Sequence, residues 1–76
     1  MPGTSFFPHH RRWDTRNAIV HALRCIRNNH PVAARIAISR AEAFNCIMYD
    51  CHDPLAYRYL MRINRIRAHL DQESAK

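Results

Sequence analysis

Four side chains in the last third of the chain, Arg58, Arg62, Arg65 and His69, recur at i, i+4, i+7 and i+11. On a helix that spacing stacks them along one side. Arginine carries a planar fork of donors that fits carboxylates and phosphates. The chemistry this row suggests is therefore the gripping of anions. No acidic residue interrupts it. Like charges one turn apart cost about 0.2–0.5 kcal/mol per pair in an isolated helix, and an anionic partner would relieve that cost. Arg16, Arg24 and Arg27 occupy one side of an earlier segment and extend the same positive field if the two segments adjoin. The competing explanation is a solvated polar face in an arginine-rich protein.

Charge and composition frame both explanations. The 76 residues carry 12 basic and 6 acidic side chains, for a net charge of +6. Eleven of the basic residues are arginine, and Lys76 is the one lysine. Ten alanines accompany them, as a GC-rich coding sequence would also produce, so arrangement weighs more than count. The acids sit where they neutralise little of the row. Asp14 and Asp53 read as helix caps, Asp50 and Asp71 lie near helix ends, and Glu42 is the acid well inside a helix.

Some apolar residues fall outside the expected core. Ile38 and Tyr49 read onto the side of Arg35, Glu42 and Asn45, Val20 among the arginines, and Met61 beside the basic row. Apolar and aromatic side chains mixed with arginine resemble the anchors of protein interfaces. The candidate partner-binding set is therefore Arg58, Arg62, Arg65, His69, Arg16, Arg24, Arg27, Met61, Tyr49 and Ile38.

Other chemistries find less support. Cys25, Cys46 and Cys51, with His21 and His52, invite a zinc reading. There is no CxxC pair, and Cys46 and Cys51 project to nearly opposite sides of one helix, whereas zinc needs four converging ligands. The cysteines read instead as buried free thiols. His21 and Cys25 are one turn apart, but lack the orienting group and oxyanion donors of a nucleophile–base pair. No glycine-rich phosphate loop or paired carboxylate appears. The expectation is a protein without catalytic residues, metal or cofactor. Nucleic-acid binding is permitted by the charge and by the basic run His9–Arg12. Against it, the second helix is too long for the compact helix-turn-helix pattern, and no aromatic RNA-binding motif is present.

The elements that position these residues are helices. One glycine in 76 residues disfavours tight hairpins. The spacing predicts an all-α, antiparallel up-down-up three-helix bundle over about 14–28, 31–50 and 54–71. An irregular arm over 1–12, with Phe6 and Phe7 as anchors, would precede a domain over 13–72, and 73–76 would fray. Asp14 would cap the first helix; Ile19, Ala22 and Ile26 would face inward, with Leu23 flanking. Asn28-Asn29-His30 would end it, and Pro31 would open the second helix. That helix shows a wide apolar arc of Val32, Ala33, Ile36, Ala37, Ala43, Phe44, Ile47 and Met48, read as contact with two neighbours. Arg40 interrupts this arc, and would snorkel or pair with Asp50 or Asp71. Asp53-Pro54 would open the third helix, with Leu55, Tyr59, Ile63, Ile66 and Leu70 inward.

The expected function is a small non-enzymatic regulator or inhibitor, of the kind phages and mobile elements encode, that binds an acidic protein surface through arginines. Nucleic acid is the alternative partner, and a homo-oligomeric structural module the third reading. No run approaches the roughly 20 apolar residues that span a membrane, and a cytoplasmic location is the expectation.

Overall fold

The computed structural model describes residues 8–75, with side chains placed from Arg11 to Ser74. These residues form three helices and no strand: α1 (Pro8–Arg27), α2 (Pro31–Asp50) and α3 (Leu55–Ala75). The all-α three-helix bundle expected from spacing is the observed architecture. No helix among the described residues is long and apolar enough to cross a membrane.

Two boundaries differ from expectation. Helix α1 begins at Pro8, not Asp14, so His9–Arg12 is helical rather than irregular. Proline suits a first helical turn, where its missing N–H costs nothing. Asp14 is not a cap; it sits nearly two turns inside and accepts a 2.8 Å bond from Arg11 Nη1. The rest of the expected arm, with Phe6 and Phe7, lies outside the described residues. At the other end α3 continues to Ala75, through most of the segment expected to fray.

Both links close as Schellman motifs built without glycine. Asn29 (φ 64°) and His52 (φ 60°) take the left-handed conformation. After α1, Asn29 N–H donates to Ile26 O and His30 N–H to Cys25 O. After α2, His52 N–H donates to Tyr49 O and Asp53 N–H to Met48 O. In each case the pair of bonds satisfies carbonyls that the helix end leaves open. The reversal costs only a few residues per link and sets consecutive helices antiparallel.

One core joins all three helices: Ile19, Ala22 and Cys25 from α1, Ala34, Ala37, Ile38 and Ala41 from α2, and Ile63, Ile66 and Leu70 from α3. The inward stripes of α1 and α3 fall largely as predicted. The phase of α2 is rotated: of its expected arc Ala37 and Met48 are buried and Ala33 and Phe44 partly buried, whereas Val32, Ile36, Ala43 and Ile47 are exposed. Its buried face is Ala34, Ala37, Ile38, Ala41, Asn45 and Met48. Ile38, expected at the surface, is 1% exposed, whereas Val32, Ile36 and Ile47 of the expected core arc are 71%, 60% and 43% exposed. Small side chains let helix axes approach closely, and the alanine-rich face gives the tighter fit to two neighbours. Arg40 is exposed on the outward side and makes no ion pair with Asp50 or Asp71; among the described residues Asp71 is held by Arg35 at 3.0 Å.

Polar contacts fix the register. Arg12 donates through Nε to Asp53 Oδ2 at 2.7 Å and through Nη2 to Oδ1 at 2.9 Å. The same carboxylate accepts from Leu55 N–H at 3.0 Å, capping α3. Asn45 donates from the core to Ala56 O at 3.0 Å, tying α2 to the first turn of α3. Thr15 Oγ1 meets Met48 Sδ at 3.2 Å, tying α1 to α2 at the same end.

Two outcomes check this packing. Ile38→Ala should cost about 2–5 kcal/mol of unfolding free energy, as for other buried isoleucines; an unchanged melting curve would contradict the observed phase of α2. Asp53→Ala should lose about 1 kcal/mol for the cap alone, lowering Tm by at least about 4 °C in a domain this size. Asp53→Asn, which can still cap, should lose less.

Candidate functional site

The eleven arginines divide into two groups. Four are committed within the fold. Arg12 pairs with Asp53, whose side chain is 1% exposed. Arg11 pairs with Asp14 and lies over the Phe44 ring, 5.8 Å from its centroid. Arg35 pairs with Asp71 and donates to Ser74 Oγ. Arg67 forms a two-pronged contact with Glu42 at 3.0 and 3.1 Å. The bond from Arg67, rather than burial, holds the Glu42 carboxyl below its usual pKa and the guanidinium above its own. The bond to Asp53 likewise raises Arg12.

The other seven, Arg16, Arg24, Arg27, Arg40, Arg58, Arg62 and Arg65, are exposed and have no ion pair among the described residues. Helical phase gathers most of them. On α3, Arg58, Arg62, Arg65 and His69 fall within about 60° of arc, over a length of about 16 Å at 1.5 Å per residue. On α1, Arg16, Val20, Leu23 and Arg27 occupy a similar arc. Two contacts show that these edges adjoin. Arg12, one turn before Arg16, reaches across to Asp53 at the start of α3. At the far end Ile26 of α1 and His69 and Leu70 of α3 line one cleft of about 340 Å³. Helices α1 and α3 thus run parallel, and the seam between them is bordered by arginines on both sides.

The candidate partner-binding residues therefore separate. Arg58, Arg62, Arg65, His69, Arg16 and Arg27 come together on the α1–α3 face. Arg24 lies on α1 farther from α3. Met61 is half-exposed and borders the row on the outer side of α3. Tyr49 is exposed at the end of α2, away from this face. Ile38 is a correction: it is buried in the core and cannot touch a partner. Sequence reasoning missed Leu23, which was placed beside the core but is half-exposed within the seam, and Trp13, which is exposed. Leu23 stands i+7 from Arg16, the spacing that should have placed it on the arginine edge.

Helix electrostatics weigh these arginines differently. Arg24 and Arg27 stand in the last turn of α1, where the helix dipole favours cations. Arg58 stands in the first turn of α3, which holds no acid and where the dipole disfavours a cation. Of the exposed arginines, Arg58 is therefore the one that the helix dipole disfavours.

The thiols and imidazoles form no comparable site. Cys25 Sγ lies 3.7 Å from His21 Nε2 in a weak contact. Cys46 and Cys51 are exposed rather than buried, which corrects the expectation for both. Among the described residues no group of three His, Cys, Asp or Glu side chains is placed to hold a metal ion. Comparison with protein-family models, curated proteins and solved structures yields no match for this chain.

The Glu42–Arg67 pair makes a pH prediction. A carboxyl with a lowered folded pKa contributes stability above its unfolded pKa of about 4.3. That contribution is lost as pH falls through the folded value. Because both side chains are partly exposed, it should be no more than about 1 kcal/mol. Glu42→Gln should lower Tm slightly at neutral pH and have no effect well below pH 4; an equal loss at both would assign the effect to packing.

Proposed function

We propose that this protein is a small non-enzymatic regulator or inhibitor that docks its α1–α3 face on an acidic protein surface and acts by occlusion. The observation that carries the reading is the arginine row without acids, Arg58, Arg62 and Arg65 with His69, facing Arg16 and Arg27 across one seam. Guanidinium groups would pair with partner carboxylates, through two-pronged bonds where geometry allows. Half-exposed Val20, Leu23 and Met61 interleave with them. Phosphate contact needs no apolar neighbours, whereas a protein interface uses them to exclude water around the charged pairs. This mixture favours the protein-partner reading over nucleic acid, the second reading for the same arginines. Free, exposed Cys46 and Cys51 suit a reducing, cytoplasmic-type compartment. A phage or mobile-element origin fits a small inhibitor of this kind.

The test is recovery of a partner by the wild-type protein and by an Arg58→Glu/Arg62→Glu/Arg65→Glu variant of equal helicity. The wild type should recover a protein with an acidic docking face, and the variant should bind it at least about 100-fold more weakly. Undiminished binding by the variant would remove α3 from the interface. Tight, steeply salt-dependent binding of generic duplex or single-stranded nucleic acid would favour the second reading.

A further inference from the structure

Helix α2 is apolar on two sides, and only one is used by the core. The outward side carries Val32, Ile36, Ala43 and Ile47, all exposed, with Ser39 and Arg40 between them. A shallow depression lined by Arg35, Ile36, Ser39, Arg40 and Ala43 marks its centre. The spacing is symmetric. Val32 and Ile47 are equidistant from the point between Ser39 and Arg40, and so are Ile36 and Ala43. A two-fold interface requires that residue i meet residue j and j meet i. An antiparallel second copy of α2, centred on that point, sets Val32 against Ile47, the bulky Ile36 against the small Ala43, and Ser39 against Arg40 at the axis.

We infer that the outward face of α2 is a self-association surface and that its occupant is a second copy of this chain, antiparallel, with the two-fold axis between Ser39 and Arg40. Charge selects the same arrangement. Each copy carries +6, and two copies meeting through their α1–α3 faces would repel. The outward face of α2 is opposite that seam, so this pairing holds the two arginine rows farthest apart. Arg40, the cation nearest the strip, also borders a hollow with Trp13, Asp14, His21 and Phe44. Its guanidinium can therefore lean toward α1 and Asp14, off the axis. A chain of this size buries a modest share of its own surface, and the strip is narrow. Dimerisation is accordingly expected in the micromolar range, about 1–100 µM. The inference does not depend on the partner proposed for the arginine row, though a dimer would present two such rows.

The experiment is sedimentation of the full chain across concentration, with helicity and melting followed in parallel. The wild type should move from monomer to dimer as concentration rises. Ile36→Glu and Ala43→Arg, both at positions exposed in the monomer, should each stay folded and monomeric over the same range. Mixed together they should form a heterodimer, because antiparallel pairing sets position 36 against position 43 of the other copy. A wild type that stays monomeric throughout would overturn the inference. So would single variants that dimerise undiminished, or a mixture of folded variants that stays monomeric, which would exclude the antiparallel register.

Discussion

The contact on which the arrangement depends is the one between Arg12 and Asp53. Asp53 serves two helices at once: it caps the first turn of α3 and takes both prongs of the Arg12 guanidinium from α1. A carboxylate this buried is tolerated because both oxygens have donors. Its position is also enforced from behind, since Asp53 N–H completes the Schellman motif that ends α2. One short link thus stops α2, starts α3 and fixes the longitudinal register of α1 against α3. Every later placement on the α1–α3 face follows from that register by helical period alone.

With the register set, the acids become the scarce component. Asp14, Glu42, Asp53 and Asp71 each hold an arginine within the fold. That spends most of the negative charge on internal links and leaves Arg58, Arg62 and Arg65, opposite Arg16 and Arg27, without an ion pair among the described residues. A fold selected only for stability would have little reason to place Arg58 at the positive end of a helix dipole with Arg62 and Arg65 along the same edge. Sites kept for binding often carry such a stability cost. The division of arginines into structural and free sets therefore supports the proposed function better than total charge does.

Much of the frame was legible in the sequence because local chemistry decides it. Pro31, Asp53-Pro54 and the Asn29 stop act through a fixed φ, a side-chain acceptor and tolerance of the left-handed conformation, and each marks a real boundary. The α3 stripe and the basic row have one clear period, so both were readable. The start of α1 was misread because Asp14 offered a rival cap, although Pro8 carries the same signal as Pro31. The phase of α2 was misread for a deeper reason. Two apolar faces interleave on that helix, and ranking by hydrophobicity chose the larger side chains, Val32, Ile36 and Ile47. Close packing against two neighbours chose Ala34, Ile38 and Ala41 instead, and kept Ala37 from the expected arc. Ile38 went from candidate anchor to core by that shift, while the outward strip became the surface that now suggests a second copy.

The central claim is that the α3 row is held for a partner and contributes nothing to the fold. Thermal unfolding of Arg58→Gln/Arg62→Gln/Arg65→Gln against the wild type at low ionic strength tests it most directly. Removing three like charges should leave Tm unchanged or raise it, the relieved repulsion being worth up to about 1 kcal/mol. A fall of several degrees would mean that the row is part of the structure, and would contradict the account.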